Sequence, residues 1–306
     1  MLAIVNSMSL HGLDGYLVEV QVDVSSGLPS WEVVGLPDVS VKEAKERVKA
    51  AIKNSGLQFE SKRIVVNLAP ADMKKEGSSF DLPIAIGIML ATEKVQQNII
   101  YKTAFIGELS LDGKINKVNG ILPMCIEAVK LGIKKVIIPE ENAKEAGVVS
   151  GIDIIAVKTL KEVINYLNGL IDIQPIKVDV NDLFNNNNKY KFDFSEIKGQ
   201  ESIKRALEVA AAGGHNVLMI GSPGSGKTML ARSLPSILPD LNFEEALEIT
   251  KIHSIAGTLK ADSPLIVTRP FRAPHHTVSA VSLIGGGRIP KPRGDKFSTL
   301  WCIIFR

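Results

Sequence analysis

One short segment constrains the fold of this chain more than any other. Residues 221–228 read G-S-P-G-S-G-K-T, between an apolar run at residues 215–220 and a stretch typical of a helix, M-L-A-R-S-L. Glycine at positions 221, 224 and 226 allows backbone angles that other residues avoid, so several amide N–H groups can converge on one anion. The pattern G-x-x-x-x-G-K-[ST] between a strand and a helix therefore predicts a phosphate-binding loop in an α/β domain.

The residues of this loop predict a nucleoside triphosphate and Mg²⁺ as ligands. The positions assigned to nucleotide binding are Gly221, Ser222, Pro223, Gly224, Ser225, Gly226, Lys227 and Thr228, and no residue is assigned a catalytic role. Lys227 supplies a charge for the β- and γ-phosphates, and the Thr228 hydroxyl is placed to ligate Mg²⁺. The alternative is a glycine-rich turn with an incidental lysine. With 25 glycines in 306 residues, a chance match to the pattern has a probability of roughly 1–2%.

The chain is expected to divide into two domains joined by a polar linker. Over residues 1–171 strand-like and helix-like patterns alternate, which predicts an α/β domain whose sheet is as readily mixed or antiparallel as parallel. Residues 172–196 lose this periodicity and contain four consecutive asparagines at 185–188, which is typical of a linker. Residues 197–306 resume the pattern and contain the phosphate loop. A surface loop inside a single domain is the alternative for the asparagine run.

Composition excludes several classes of protein. Two cysteines, Cys125 and Cys302, cannot build a disulfide framework, and the longest apolar stretch, near residues 82–91, has about half the ~20 residues of a membrane-spanning helix. The first residues lack the basic lead and apolar core of a secretion signal. We therefore expect a cytoplasmic protein with no membrane contact. A net charge of +3 neither requires nor excludes a nucleic-acid partner.

Three segments carry a resemblance to a known family. They are I-K-G-Q at 197–200, the loop at 221–228, and R-P-F-R-A-P-H-H-T at 269–277, which runs into L-I-G-G-G-R-I-P-K-P at 283–292. Residues 1–292 resemble the bacterial magnesium-chelatase-like AAA+ ATPases of the ComM/YifB type. The resemblance implies an α+β front domain with the fold of ribosomal protein S5 and the Lon protease domain, followed by an AAA+ module. It also implies ATP and Mg²⁺ as cofactors, a homo-oligomeric, hexameric ring, and ATP-driven remodelling of DNA, such as branch migration, in DNA uptake and recombination.

The front domain lacks the pair of residues that Lon uses for proteolysis. K-K-E-G-S-S-F-D at 74–81 resembles the Lon loop that presents its nucleophilic serine, with Ser79 at that position. The matching position for the lysine base is Leu122, which can neither accept a proton nor carry a charge. We therefore expect Ser79 to cap the following helix and the front domain to serve docking or assembly.

Two further features lie beyond the loop. His275 and His276 are adjacent, and neighbouring side chains of an extended chain face opposite sides, so shared metal ligation is not expected. The glycine-rich stretch at 285–291 carries Arg288 and Lys291. This stretch fits two interpretations equally well: a basic loop that faces the pore of a ring, and an ordinary solvated turn.

Residues 293–306 depart from the family pattern. The family continues with an apolar strand ending in acidic residues, whereas this sequence has no apolar run ending in Asp or Glu after Thr228. A shift of the gene's reading frame by one base near residues 292–293 would restore the pattern. The hypothesis is therefore that the tail is translated out of frame, and the alternative is a genuine tail that has diverged from the family. The expected function is ATP binding by a truncated AAA+ module that is deficient in hydrolysis. The alternative is a nucleotide-binding assembly fragment with no turnover.

Overall fold

The computed structural model describes residues 1–95, 100–186, 190–260, 263–273 and 302–303. They form two compact units. The first unit is Met1–Val178 with Gly257–Pro264, and the second unit is Asp179–Ala256 with Leu265–Arg306. The first is a mixed α/β fold, which confirms the predicted fold class. No helix in the described ranges is long and apolar enough to span a membrane.

The first unit is built on a seven-stranded sheet with the order β3-β4-β2-β1-β5-β8-β9. Its strands are β1 (Leu2–His11), β2 (Asp14–Ser25), β3 (Ser30–Val34), β4 (Arg63–Ala69), β5 (Thr103–Phe105), β8 (Lys135–Pro139) and β9 (Asp153–Val157), and a separate two-stranded ribbon joins β6 (Glu108–Leu109) to β7 (Ile115–Asn116). Strand β2 is antiparallel to both β1 and β4, and the other neighbours in the large sheet are parallel. The sheet is therefore mixed.

Strand β2 shows how the sequence pattern produces burial. Its residues alternate between apolar and polar, and Val18, Val20 and Val22 are completely buried. Successive side chains of a strand point to opposite faces, so this alternation places the valines on one face. On β1, Val5 joins the core cluster that contains α2 and α3, whereas Met8 joins the cluster that contains α4. Both faces of the sheet are therefore covered by helices.

Six α-helices in the described part of the first unit cover or connect these strands. They are α1 (Val39–Lys42), α2 (Ala44–Asn54), α3 (Asp81–Ala91), α4 (Ile121–Lys130), α5 (Ala143–Ala146) and α6 (Leu160–Leu167). Every residue of α3 is buried, which explains why its sequence after Asp81 is apolar on all sides rather than on one face. Gly87 lets α3 approach the sheet, because a Cβ there would lie 2.5 Å from Val22 Cγ2.

The start of α3 corrects one expectation. Ser79 does not cap this helix: the residue before α3 is Phe80, and no side chain accepts a bond from the helix start. Ser79 is instead tied through its backbone, because its carbonyl oxygen accepts a hydrogen bond from Gly107 N–H at 3.0 Å. The first turn of α3 carries Asp81, which is fully buried.

The described part of the second unit is mostly helical. Its elements are α7 (Val180–Asn186), α8 (Glu201–Gly213), α9 (Lys227–Ser233), α10 (Phe243–Ile255), two 3₁₀ turns (Phe194–Glu196 and Leu234–Ile237), and the strands β10 (Phe271–Arg272) and β11 (Cys302–Ile303). Strands β10 and β11 pair in parallel. A small core unites α8 with α9 through Leu207 and Leu230, together with Phe194 and Ile197.

The strand expected at residues 215–220 is not formed. These residues follow α8 without strand pairing, and Leu218 and Ile220 are 84% and 88% exposed. A strand buried in a parallel sheet needs neighbours on both sides for its backbone groups. Within the described ranges no strand pairs with this run. The prediction was therefore wrong because strand formation depends on partners as well as on the apolar run itself.

Candidate functional site

The loop at residues 221–228 closes on itself as it enters α9, whose first residue is Lys227. Gly224 and Gly226 have φ of 82° and 85°, in the left-handed region that favours glycine. A Cβ added to Gly221 would lie 3.1 Å from Ser225 Oγ, so a side chain at this position would crowd the interior of the loop. Pro223 and Gly224 form the exposed outer turn. The glycines therefore occupy the positions where the loop needs unusual backbone angles or close approach.

Lys227 is the residue around which the loop is arranged. Its Nζ donates to the carbonyl oxygens of Gly221 at 2.9 Å and Ser222 at 2.8 Å, and lies 3.2 Å from Ser225 Oγ. An ammonium group has three donor positions, and the loop provides an acceptor for each. The structure thus brings the predicted residues Gly221, Ser222, Ser225 and Lys227 together, with the positive charge at their centre.

The helix that follows holds the loop in place. Gly226 O accepts bonds from Met229 N–H and Leu230 N–H, both at 3.0 Å, which starts the helix immediately after the loop. Leu230 is buried in the small core shared with α8. Thr228, the predicted magnesium ligand, lies in the first turn of α9 and is exposed. Across the described ranges there is no cluster of three or more His, Cys, Asp or Glu side chains that could hold a metal ion.

Sequence reasoning missed one residue of this site. Gln200 precedes α8, and its Nε2 donates to the carbonyl oxygen of Ser225 at 3.2 Å. The segment I-K-G-Q is part of the resemblance to a family, but its residues by themselves predict no contact with the loop. A glycine followed by a polar residue just before a helix was the available signal, but it does not reveal a partner 25 residues away.

The position that resembles the Lon active site is buried in the first unit. Ser79 is 6% exposed, and Leu122 is completely buried. The N–H of Leu122 donates to Glu145 Oε1 at 3.2 Å, so the backbone of this residue is used to anchor the start of α4. The neighbouring Ser78 hydroxyl donates to the carboxylate of Glu108.

A lysine in this region was also missed by the sequence analysis. Lys75 is completely buried, and its ammonium donates to Met73 O at 2.7 Å and to Pro70 O. Desolvation by burial lowers the pKa of Lys75. Both of these hydrogen bonds go to backbone carbonyl oxygens, so they hold the local chain in place.

Several sequence features lie outside the described residues. They are His275 and His276, the stretch at 285–291, and the tail at 293–306 apart from Cys302–Ile303, which forms β11. The expectation that the two histidines share no metal ion, the two interpretations of the stretch at 285–291 and the out-of-frame hypothesis for the tail all stay predictions.

Comparison with known proteins matches both units of the chain. The family model described as subunit ChlI of Mg-chelatase matches residues 20–142, and the model described as magnesium chelatase, subunit ChlI, matches residues 193–296. The chain is 30% identical over 198 residues to Lon protease 2 of Bacillus subtilis, covering 58% of this chain and 35% of that protein.

Longer matches cover nearly the whole chain. It is 42% identical over 293 residues to the competence protein ComM of Haemophilus influenzae, covering 95% of this chain and 57% of that protein. It is 41% identical over 292 residues to the uncharacterized protein YifB of Escherichia coli, covering 95% of this chain and 56% of that protein. The chain thus spans somewhat more than half the length of these relatives. With both ChlI models matched on one chain, and with this identity to ComM and YifB, the chain belongs to the magnesium-chelatase-like family of ComM and YifB.

Proposed function

We propose that residues 221–228 bind ATP together with Mg²⁺. The observation that carries this proposal is the position of Lys227 Nζ, which lies within hydrogen-bonding distance of three acceptors from one closed loop. The loop carbonyls are neutral acceptors. Phosphate oxygens are charged and form stronger bonds with an ammonium group, so a triphosphate can displace them.

The donor groups around the loop fit a triphosphate. Backbone N–H groups of a glycine-rich turn, the N-terminal end of α9 and an ammonium group all favour negative charge. In the proposed complex Lys227 holds the β- and γ-phosphates, the loop backbone surrounds them, and the Thr228 hydroxyl holds Mg²⁺. The bound ion would neutralise phosphate charge. The loop residues of this chain provide binding and orientation.

The role of the whole protein is proposed from its family. One relative is named a competence protein. We propose that the full-length protein couples nucleotide binding to DNA remodelling in DNA uptake and recombination, as a homo-oligomeric, hexameric ring in the cytoplasm. In this proposal residues 1–171 form a docking or assembly domain, residues 172–196 form a linker, and residues 197–306 belong to the nucleotide-binding module.

Calorimetric titration of the purified 306-residue chain with Mg·ATP tests nucleotide binding. We expect Lys227→Ala to weaken binding at least about tenfold, because the charged donor at the centre of the loop is lost. The matched control is Lys251→Ala, which removes a lysine of the same unit that pairs with Glu248 in α10. Binding that is unchanged by Lys227→Ala, or weakened equally by both substitutions, would refute the proposal.

A further inference from the structure

Gln200 links the starts of two helices in the second unit. Its carbonyl oxygen accepts bonds from Ile203 N–H and Lys204 N–H, both at 3.0 Å, and so closes the first turn of α8. Its side-chain Nε2 donates to Ser225 O, in the loop that leads into α9. The backbone of Gln200 is left-handed, with φ 58° and ψ 40°, which is unfavourable for a residue other than glycine. A strained residue in contact with a candidate binding loop supports a functional hypothesis for its side chain.

The bond to Ser225 fixes the direction of one peptide group. Peptide groups are planar and trans, so the C=O of Ser225 and the N–H of Gly226 point in opposite directions. Gln200 holds the carbonyl side of this group at 3.2 Å. The N–H of Gly226 is consequently directed away from Gln200.

Without this contact the same peptide group could rotate readily. Gly226 has φ +85°, and glycine adopts both signs of φ at little cost, so rotation of the peptide between Ser225 and Gly226 meets little steric resistance. Such a rotation would exchange the N–H donor for a carbonyl oxygen. A carbonyl repels phosphate oxygens, whereas an N–H binds them.

We propose that Gln200 is a positioning residue for the phosphate loop. Its side-chain amide holds the Ser225 carbonyl and keeps the Gly226 N–H available to the phosphate groups of the nucleotide. The inference rests on the proposed binding of Mg·ATP at residues 221–228. Because Gln200 acts on the backbone that binds phosphate, its effect is the same for every ligand that carries the phosphate groups, with or without a base.

Two substitutions at this position separate the side-chain donor from the backbone. Gln200→Gly removes the side chain and tolerates the left-handed backbone. Gln200→Glu keeps the size of the side chain and replaces its donor by an oxygen that repels the Ser225 carbonyl. Lys198→Gln is the matched charge control, since it changes the net charge by the same amount as Gln200→Glu at an exposed position nearby.

The experiment measures dissociation constants of the 306-residue chain for Mg·ATP, Mg·ADP and magnesium tripolyphosphate, which has no base. We expect Gln200→Gly to weaken binding of all three by the same factor, about tenfold for one lost hydrogen bond. Gln200→Glu should weaken it more, and Lys198→Gln should leave it within about twofold. In the ligand-free chain, the ¹⁵N–¹H resonance of Gly226 should shift in Gln200→Gly while that of Gly224 stays in place.

Each contrary outcome has a distinct meaning. If Gln200→Glu binds all three ligands as tightly as the parent chain does, the inference fails while nucleotide binding stands. If the loss is confined to ATP and ADP, Gln200 contacts the base and the positioning role is refuted. If the parent chain with a native far-ultraviolet circular dichroism spectrum binds none of the ligands, the proposed function fails and the inference fails with it.

Discussion

Arg47 and Asp81 form a two-point ion pair inside the first unit, with Arg47 Nε 2.6 Å from Asp81 Oδ2 and Nη2 3.0 Å from Oδ1. Asp81 also accepts a bond from Leu109 N–H at 3.2 Å, so its carboxylate joins α2, α3 and the β6–β7 ribbon. Desolvation by burial is the dominant influence and raises the pKa of Asp81 to about 6, although Arg47 opposes the shift. The pair therefore fixes the positions of these three elements, while the burial of its charged groups costs desolvation free energy.

Because burial raises the pKa of Asp81, we expect the free energy of unfolding to fall as the pH rises toward 6. The folded chain binds the Asp81 proton more tightly than the unfolded chain, in which the carboxyl titrates near 3.8. The stabilisation is complete below the unfolded pKa and is lost as pH rises through the folded pKa. Asp81→Asn should remove this slope, which is at most about 1.4 kcal/mol per pH unit. Urea denaturation of both chains between pH 4 and 6 measures it, and equal slopes would contradict the prediction.

Lys75→Met should destabilise the first unit by about 1–3 kcal/mol, because Pro70 O and Met73 O would lose their buried donor while the volume of the side chain is kept. Lys74→Met is the matched control. The Lys74 side chain is 59% exposed, so its loss should change the free energy of unfolding by less than about 0.5 kcal/mol. Urea denaturation compares the two variants. An equally small effect of both substitutions would show that the buried ammonium is not structural.

Gly87→Ala should destabilise the first unit by about 1–3 kcal/mol, because the new methyl group would overlap Val22 Cγ2. Val22→Ala makes room for that methyl group. The double variant should therefore lose less stability than the sum of the two single variants, and a double-mutant cycle from urea denaturation measures the difference. If the losses of the two single variants simply added up in the double variant, the overlap between α3 and β2 would not be the cause of the destabilisation by Gly87→Ala.

The thiol of Cys125 should be unreactive in the folded chain. Cys125 is completely buried, and desolvation, assisted by the nearby Glu145 carboxylate, raises the pKa of its thiol, so the reactive thiolate is scarce. A Cys302→Ser variant leaves Cys125 as the single cysteine of the sequence. Its reaction with an aromatic disulfide reagent should be slow in buffer and rapid in urea. Rapid modification of the native variant would contradict the buried position.

The sequence predicted elements well where local pattern and burial agree. Strand β2 alternates apolar and polar residues, and α3 is a long apolar run, so each could be recognised from its own residues. Residues 215–220 end in four consecutive apolar residues and form no strand in the described structure, because a strand also requires partners that its own sequence does not specify.

In the candidate site, too, some contacts follow from the local sequence and others depend on the surrounding fold. The contacts of Lys227 are made within a few residues of chain, so the residues that meet all lie inside the one motif that the sequence singles out. The contact between Gln200 and Ser225 depends on how α8 and α9 pack, and the burial of Lys75 depends on the surrounding fold. No local pattern contains that information.

Leu218 and Ile220 present branched apolar side chains to water in a segment without charge. Short uncharged segments of this kind are templates for pairing between molecules, and neighbouring copies can satisfy both their backbone and their apolar groups. Self-association that grows with protein concentration should therefore start from the second unit, and a charged residue in place of Leu218 should raise the solubility limit of the chain.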